Sequence, residues 1–470
     1  MSGGEAIARP ALRAQARQAL LTALLLAVVA ALLRFARLGA WSLWSDEVAT
    51  LRDAQNLANV QNYPIGYALI GWFVRLFGDS EFAARFVPAL VGTFTPPAIY
   101  LAGRRLFSER AGIIAGALLA LSSYHLFFSQ FARYYTLVML LGFGAMWCGY
   151  LAIEHNRRRD ALFSVVLFAL AALTHWSALM LAPALALYAM LRLREWHAWR
   201  RSSWTLAILF GPMLVGLLAA SPALLRFALS WRAEEGFSLA RFGLIWLKMA
   251  DRIEIPVLLC AAAGGWMLWR LRDPRLLWLA AYAGVPLLLT AIFVGFSEGG
   301  SRFGLVALPP FLLLAGYLTD QFIELSRDRA RTVAWLLLAL VLASSGIGDL
   351  CYFTAEQGER PRWKDAVAYL LPKLEEGTPV MAAAPAVFDY CARRVGYVGR
   401  KAEPLTIPPP ALSNGPVYII TEQVANMAPT EEQQRWLDEH ATLEKRFPLT
   451  VRLLDYSVLV YRVEASSGGL

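Results

Sequence analysis

The chain has 470 residues, of which 58% are hydrophobic and only 17% charged, a balance too apolar for a water-soluble protein of this length. Its formal net charge of +9 does not point to nucleic acid, because the basic residues lie between apolar runs and not in a separate domain or tail. The composition is that of a polytopic membrane protein, and the lipid bilayer is its first expected partner.

Arg9, Arg13 and Arg17 precede the first apolar run, and no small-residue cleavage site precedes Trp41, so this run is expected to be a retained helix and not a signal peptide. Apolar windows long enough to cross about 30 Å of hydrocarbon recur from there to Gly346, and each must be helical because lipid leaves no partner for unpaired backbone. The runs cover 19–36, 82–102, 111–127, 134–153, 161–175, 177–193, 204–222, 254–270, 276–295, 303–319 and 332–348, about eleven crossings.

Basic clusters at Arg104, Arg105 and Arg110, at Arg157 to Arg159, at Arg270, Arg272 and Arg275, and at Arg327, Arg329 and Arg331 fall in alternate loops. By the positive-inside rule these loops and the N-terminus are cytoplasmic. The Trp41 to Ser80 loop, the Ser122 to Arg133 turn, His175, a long loop from Ser221 to Ile253, the Phe296 to Arg302 turn and the C-terminal tail then lie outside.

From about Cys351 the character changes. Helix-period segments at 363–375, 386–394 and 431–440 alternate with strand-like runs at 379–383 and 417–421, and a closing strand pair about Asp455-Tyr456 is expected over 451–463. The expected organisation is a transmembrane module over 1–349 and a small extracytoplasmic α/β domain over 350–470. Cys148 and Cys260 read as packing material, while Cys351 and Cys391 could pair in an oxidising compartment.

The first outer loop opens with Trp41-Ser42-Leu43-Trp44-Ser45-Asp46-Glu47. Two tryptophans of interfacial type lead into adjacent carboxylates, which places acids at headgroup level. Asp46 is the candidate general base, with Glu47 a second acid that positions it. The outer side, which should be poor in positive charge, holds Arg85, Arg133 and Arg302, while Arg52 lies close behind the acids; these are candidates for binding phosphate, which the planar guanidinium grips in two places. His175 is either a polar contact to substrate or a satisfied interfacial histidine. There is no metal-type Cys/His spacing and no Gly-rich nucleotide loop, and no metal or other cofactor is expected.

Trp44-Ser45-Asp46-Glu47, Ala83-Ala84-Arg85-Phe86-Val87-Pro88, Ser129-Gln130-Phe131-Ala132-Arg133-Tyr134-Tyr135, Ser301-Arg302-Phe303 with Pro309-Pro310, and Arg362-Trp363-Lys364-Asp365 together resemble the polytopic glycosyltransferases of GT-C fold, family 39 type. That family is related to protein O-mannosyltransferases and lipid A aminoarabinose transferases. Where it usually carries a His-Pro-Pro-Leu-Tyr-like segment, this chain has Asn62-Tyr63-Pro64-Ile65-Gly66-Tyr67, which keeps Pro64 and Tyr67 and lacks the histidine. The resemblance implies an inverting transfer from a polyprenyl-phosphate sugar to a glycan, lipid or protein acceptor at the cell inner membrane. It brings Tyr63, Pro64, Tyr67, Tyr134 and Tyr135 into the candidate substrate site beside Arg52, Arg85, Arg133, His175 and Arg302. A transporter, or a non-catalytic envelope-assembly subunit, is the alternative. A transporter would want ionisable groups at mid-bilayer, where these helices have few acids.

Overall fold

The computed structural model describes residues 4–56, 64–193, 196–234, 237–295, 300–325, 327–375, 377–409, 416–424 and 427–464. Tyr63, residues 296–299 of the expected outer turn and the side chain of Pro64 lie outside the described residues.

The helices follow in order as α1 (Gly4–Phe35), α2 (Ser45–Gln55), α3 (Pro64–Phe77), α4 (Glu81–Leu106), α5 (Glu109–Ala120), α6 (Ser123–Ser129), α7 (Tyr135–His155), α8 (Arg158–Thr174) and α9 (Leu181–Arg192). They continue as α10 (Trp196–Glu234), α11 (Leu239–Ile253), α12 (Ile255–Arg270), α13 (Arg275–Gly295), α14 (Leu308–Leu325) and α15 (Asp328–Thr354). Among the described residues, seven helical stretches are long and apolar enough to cross a membrane: Arg13–Phe35, Glu81–Leu106, Tyr135–His155, Ser202–Ala219, Arg275–Gly295, Ser301–Leu325 and Arg331–Thr354. The pair α5 and α6, bent by 58° at their junction, makes an eighth if it forms one span. The remaining expected runs are also helical but shorter, with 17 residues in α8, 12 in α9 after a short 3-10 turn and 16 in α12. The chain is a multi-pass helical membrane protein.

The region expected to be a loop over 221–253 is helical over 221–234 and 239–253. Helix α10 continues to Glu234, and α11 buries Ile245, Met249 and Ile253 at four-residue spacing while Leu244, Leu247 and Lys248 face outward. Its interspersed basic residues break the apolar run without breaking the helical period.

The chain divides into two compact units. The first comprises Met1–Ala36, Val60–Leu69 and Val87–Gly348; the second comprises Arg37–Asn59, Ile70–Phe86 and Asp349–Leu470. In the first, helices pack through small residues. A Cβ at Gly316 of α14 would lie 2.5 Å from the Ala111 carbonyl oxygen of α5, so only glycine allows this approach. Helices α1, α5 and α6 are clasped reciprocally. Arg34, fully buried at the end of α1, donates to the Ala120 and Leu119 carbonyls of α5 at 2.6 and 2.9 Å and to His125 Nδ1 of α6 at 3.0 Å. Gln130, just after α6, donates to the Leu33, Arg34 and Ala36 carbonyls at 3.3, 3.0 and 2.8 Å. Each chain end thereby satisfies carbonyls that a helix terminus otherwise leaves without partners.

The second unit holds a five-stranded sheet with α16 (Trp363–Leu370), α17 (Pro385–Arg394) and α18 (Glu431–His440). Its strands are β1 (Val380–Ala382), β2 (Glu403–Pro404), β3 (Val417–Glu422), β4 (Thr442–Phe447) and β7 (Val458–Val463), in the order β2-β1-β3-β7-β4. Strand β1 runs parallel to β2 and β3, and β7 is antiparallel to β3 and β4. All six residues of β3 are buried, as befits a central strand. One face packs Ile419, Leu459 and Tyr461 with Leu437 of α18. The opposite face carries Glu422, whose carboxylate accepts from Trp363 Nε1 of α16 at 2.6 Å. The expected closing pair is corrected: β5 (Thr450–Val451) and β6 (Leu454–Asp455) form a separate small hairpin, and β7 pairs with the unforeseen β4. Strand β4 is an edge strand that buries only Phe447, so its charged sequence gives little strand signal. All four cysteines are free thiols, Cys351 exposed and Cys391 buried.

Candidate active site

The acid pair lies in the second unit, in the first turn of α2, where the helix dipole favours anions. The backbone builds this turn reciprocally: Trp44 N–H donates to Glu47 Oε2 at 2.9 Å, and Glu47 N–H donates to the Trp44 carbonyl at 2.9 Å. Asp46 is half-buried. Glu47 is completely buried, and it meets Arg85 bidentately, from Nε to Oε1 at 2.8 Å and from Nη2 to Oε2 at 2.9 Å. Arg360 Nε approaches the same Oε2 at 3.3 Å. The rest of the Arg85 guanidinium donates to the Leu38, Trp41 and Ser42 carbonyls at 3.2, 3.2 and 2.7 Å.

This geometry revises the role of Arg85. Arg85 is fully buried with its donors spent on Glu47 and on the backbone of the 38–42 segment, so it positions the acid turn and does not reach a phosphate. Glu47 is completely buried and is the counter-ion of two arginines. Arg52 is exposed and pairs with its neighbour Asp53 at 3.0 Å, on the solvated face of α2. Trp41 is buried, edge-on against Tyr352 with ring centroids 5.6 Å apart. Trp44 donates from Nε1 to the Glu359 carbonyl at 3.2 Å and meets Tyr456 edge-on at 5.9 Å. Arg360 escaped the sequence reading, because an arginine in a polar tail gives no sign that it is buried.

The cationic candidates Arg133 and Arg302 lie in the first unit, with Tyr67, Tyr134, Tyr135 and His175. Arg133, half-buried after α6, donates from Nη1 to the Tyr67 hydroxyl at 3.0 Å. The Tyr67 ring meets Tyr134 edge-on at 5.5 Å. A Cβ at Gly66 would lie 2.6 Å from Tyr134 Cβ, so the glycine of the Asn62 to Tyr67 segment lets α3 start against this ring. His175 sits in extended backbone between α8 and the 3-10 turn Trp176–Met180. Its Nδ1 accepts the Ser177 N–H at 3.2 Å, which puts the ring proton on Nε2. Tyr134, Tyr135 and Phe303 surround the imidazole at 5.2, 5.5 and 5.8 Å between centroids. Burial, with the Arg302 and Arg133 charges beside it, pushes His175 down to about 3, so it stays neutral at physiological pH. Arg302 lies over the Phe303 ring at 5.3 Å. Two guanidinium groups and a neutral imidazole thus lie about one aromatic cluster. Among the described residues, no three His, Cys, Asp or Glu side chains gather as metal ligands would.

The sequence model of the family described as dolichyl-phosphate-mannose-protein mannosyltransferase matches residues 62–225. The apo crystal structure of ArnT from Cupriavidus metallidurans is similar at 13% identity and a TM-score of 0.59, covering 95% of this chain and 98% of that one. The crystal structure of the same protein bound to undecaprenyl phosphate gives 16% identity and 0.57, covering 95% and 99%. The apo oligosaccharyltransferase of Archaeoglobus fulgidus gives 14% identity and 0.54, covering 80% of this chain and 63% of that one. No curated protein sequence matches. The chain therefore shares the GT-C fold of these solved structures, and its residues 62–225 match the protein mannosyltransferase model.

Proposed function

We propose that the protein is an inverting glycosyltransferase that moves a hexosyl or pentosyl group from a polyprenyl-phosphate donor to an acceptor hydroxyl of a glycan, lipid or protein. The reaction runs at the outer face of the cytoplasmic membrane, with the N-terminus inside and the 350–470 domain outside, an orientation supported by the alternate basic loops. The observation that carries the reading is the pair Arg133 and Arg302 beside a buried, neutral His175 in a membrane protein of GT-C fold. Such a cluster suits a lipid phosphate, and one of the similar ArnT structures holds undecaprenyl phosphate.

In the proposed step the acceptor oxygen attacks the anomeric carbon and its proton passes to Asp46. The bond from that carbon to the phosphate oxygen breaks, and its electron pair leaves with the polyprenyl phosphate, whose growing charge Arg133 and Arg302 stabilise. The leaving phosphate is a weak base and needs no general acid. A carboxylate near the anomeric carbon also favours the oxocarbenium-like transition state. Glu47, held by Arg85 and Arg360, fixes the helical turn from which Asp46 projects.

The test is Asp46→Asn in proteoliposomes supplied with a radiolabelled polyprenyl-phosphate sugar. Loss of base assistance lowers transfer by about 10²- to 10⁴-fold with the protein still folded and inserted. Full transfer at matched protein level removes Asp46 from the mechanism.

A further inference from the structure

Outside the candidate site, the segment after α17 has an unusual composition: Arg393-Arg394-Val395-Gly396-Tyr397-Val398-Gly399-Arg400-Lys401. Its apolar residues are not buried. Val398 is 95% exposed and Val395 66%, although both belong to a domain with an ample core for valines. The bend between them is fixed by Gly396 at φ +82°, and the Tyr397 ring lies against Gly399, so the loop presents the two valines in a compact turn.

The stem of this loop is fastened to one place in the same unit. Tyr390 donates from its hydroxyl to the Asp79 carbonyl at 2.8 Å, and Arg393 and Arg394 meet the Asp79 carboxylate at 2.8 and 3.5 Å. Asp79 stands two residues before α4, whose 26 residues form a candidate span from Glu81 to Leu106. A helix of that length reaches past the hydrocarbon core, so its first turn and the residue bonded to the loop stem lie at headgroup level. On the other side of Asp79, the last turns of α3 expose Trp72, Leu76 and Phe77 with Arg75 among them, the mixture of aromatic, aliphatic and basic residues that settles at a bilayer boundary. Around this turn six cations, Arg75, Lys364, Arg393, Arg394, Arg400 and Lys401, stand against four carboxylates, Asp79, Glu81, Asp389 and Glu403, with Arg400 paired to Glu403 and Lys364 to Glu81.

We propose that the 395–401 loop is a membrane-docking element, which seats Val395 and Val398 among lipid headgroups and sets Arg400 and Lys401 against anionic phospholipid. It tethers the sheet domain to the bilayer beside the start of α4. The inference needs only that the chain is a multi-pass membrane protein, and it is independent of the proposed sugar transfer.

The experiment uses the full chain in nanodiscs. An environment-sensitive fluorophore is attached at Val398→Cys in a Cys351→Ser background, with a label at Glu439→Cys on the exposed face of α18 as the aqueous reference and the unlabelled-site protein as background. In discs containing phosphatidylglycerol, the label at 398 should emit at shorter wavelength, lose most of its quenching by iodide and be quenched by lipids brominated near the headgroup, while the label at 439 stays accessible. Arg400→Glu with Lys401→Glu should return the 398 label to the iodide response of the reference. Equal iodide quenching at 398 and 439 overturns the proposal. Protection that persists unchanged in purely zwitterionic discs, or in detergent without lipid, overturns it too, since the loop is then covered by the chain itself or lacks the charge contact.

Discussion

Replacement of Glu47 by Gln tests whether the acid turn is held as described. Glu47 is completely buried and accepts four hydrogen bonds, from Trp44 N–H, twice from Arg85 and once from Arg360. The amide keeps the shape and loses the charge, so Arg85 and Arg360, each almost wholly buried, face each other across a neutral group. Hydrogen bonds to charged groups are worth about 1.5–3 kcal/mol each, but they do not add here because one carboxylate serves all of them. The governing quantity is the cost of leaving a buried charge uncompensated, about 3–5 kcal/mol for removal of one partner.

The assay is the thermal unfolding midpoint of the purified protein in nanodiscs, followed by the near-ultraviolet signal of the tryptophans. Glu47→Gln should melt well below the parent. A triple replacement, Glu47→Leu with Arg85→Met and Arg360→Met, should recover much of that loss, because it removes the charges together with their desolvation cost. Transfer activity should not recover in the triple variant if the ion pairs set the orientation of Asp46. A parental midpoint for Glu47→Gln, or a triple variant that melts lower still, would refute the view that charge compensation at this turn dominates its stability.

Two further outcomes follow from the geometry. Arg133→Ala should raise the donor KM by about 10- to 100-fold, the worth of one or two charge-assisted contacts to phosphate, with the acceptor KM unchanged in steady-state kinetics; an unchanged donor KM moves the phosphate contact to Arg302. Glu422 is pushed up to about 7 by burial beneath α16, so the folded domain binds an extra proton between the ordinary carboxylate value and about pH 7. Its contribution is therefore intact at low pH and is lost as pH rises through about 7, a penalty of about 3 kcal/mol at pH 8. Glu422→Gln should flatten the dependence of the unfolding midpoint on pH and raise it at pH 8, and a variant with the parental slope would assign that dependence elsewhere.

Much of this architecture was written in the apolar runs, because a bilayer demands continuous helices and leaves the sequence little freedom to disguise them. Each run expected to cross coincides with helix, although three are short by the length of a single span. Legibility failed where polar residues serve a helix or strand from outside it. Helix α11 carries basic residues on one side of an apolar stripe, and β4 lies at a sheet edge with five of its six residues outside the core. The reciprocal clasp of Arg34 and Gln130 was also unread. Its only sequence signal is a basic residue in the last turn of a helix, which usually means attraction to the helix's own carbonyls and here means capping of another helix.

The arginines show why residue type and side of the membrane do not by themselves assign a role. Arg85 and Arg133 look alike in sequence, each near a helix start beside an aromatic residue. What separates them is burial, complete for Arg85 and partial for Arg133. Around Arg85 the chain gathers one carboxylate and three carbonyls within 3.2 Å and excludes water, which satisfies the guanidinium and commits it to structure. Around Arg133 the neighbours include a tyrosine hydroxyl and a ring cluster that also contains Arg302 and an imidazole held neutral. Arg85 is thereby committed to the acid turn of the second unit, and the proposed phosphate role falls to Arg133 and Arg302 in the first.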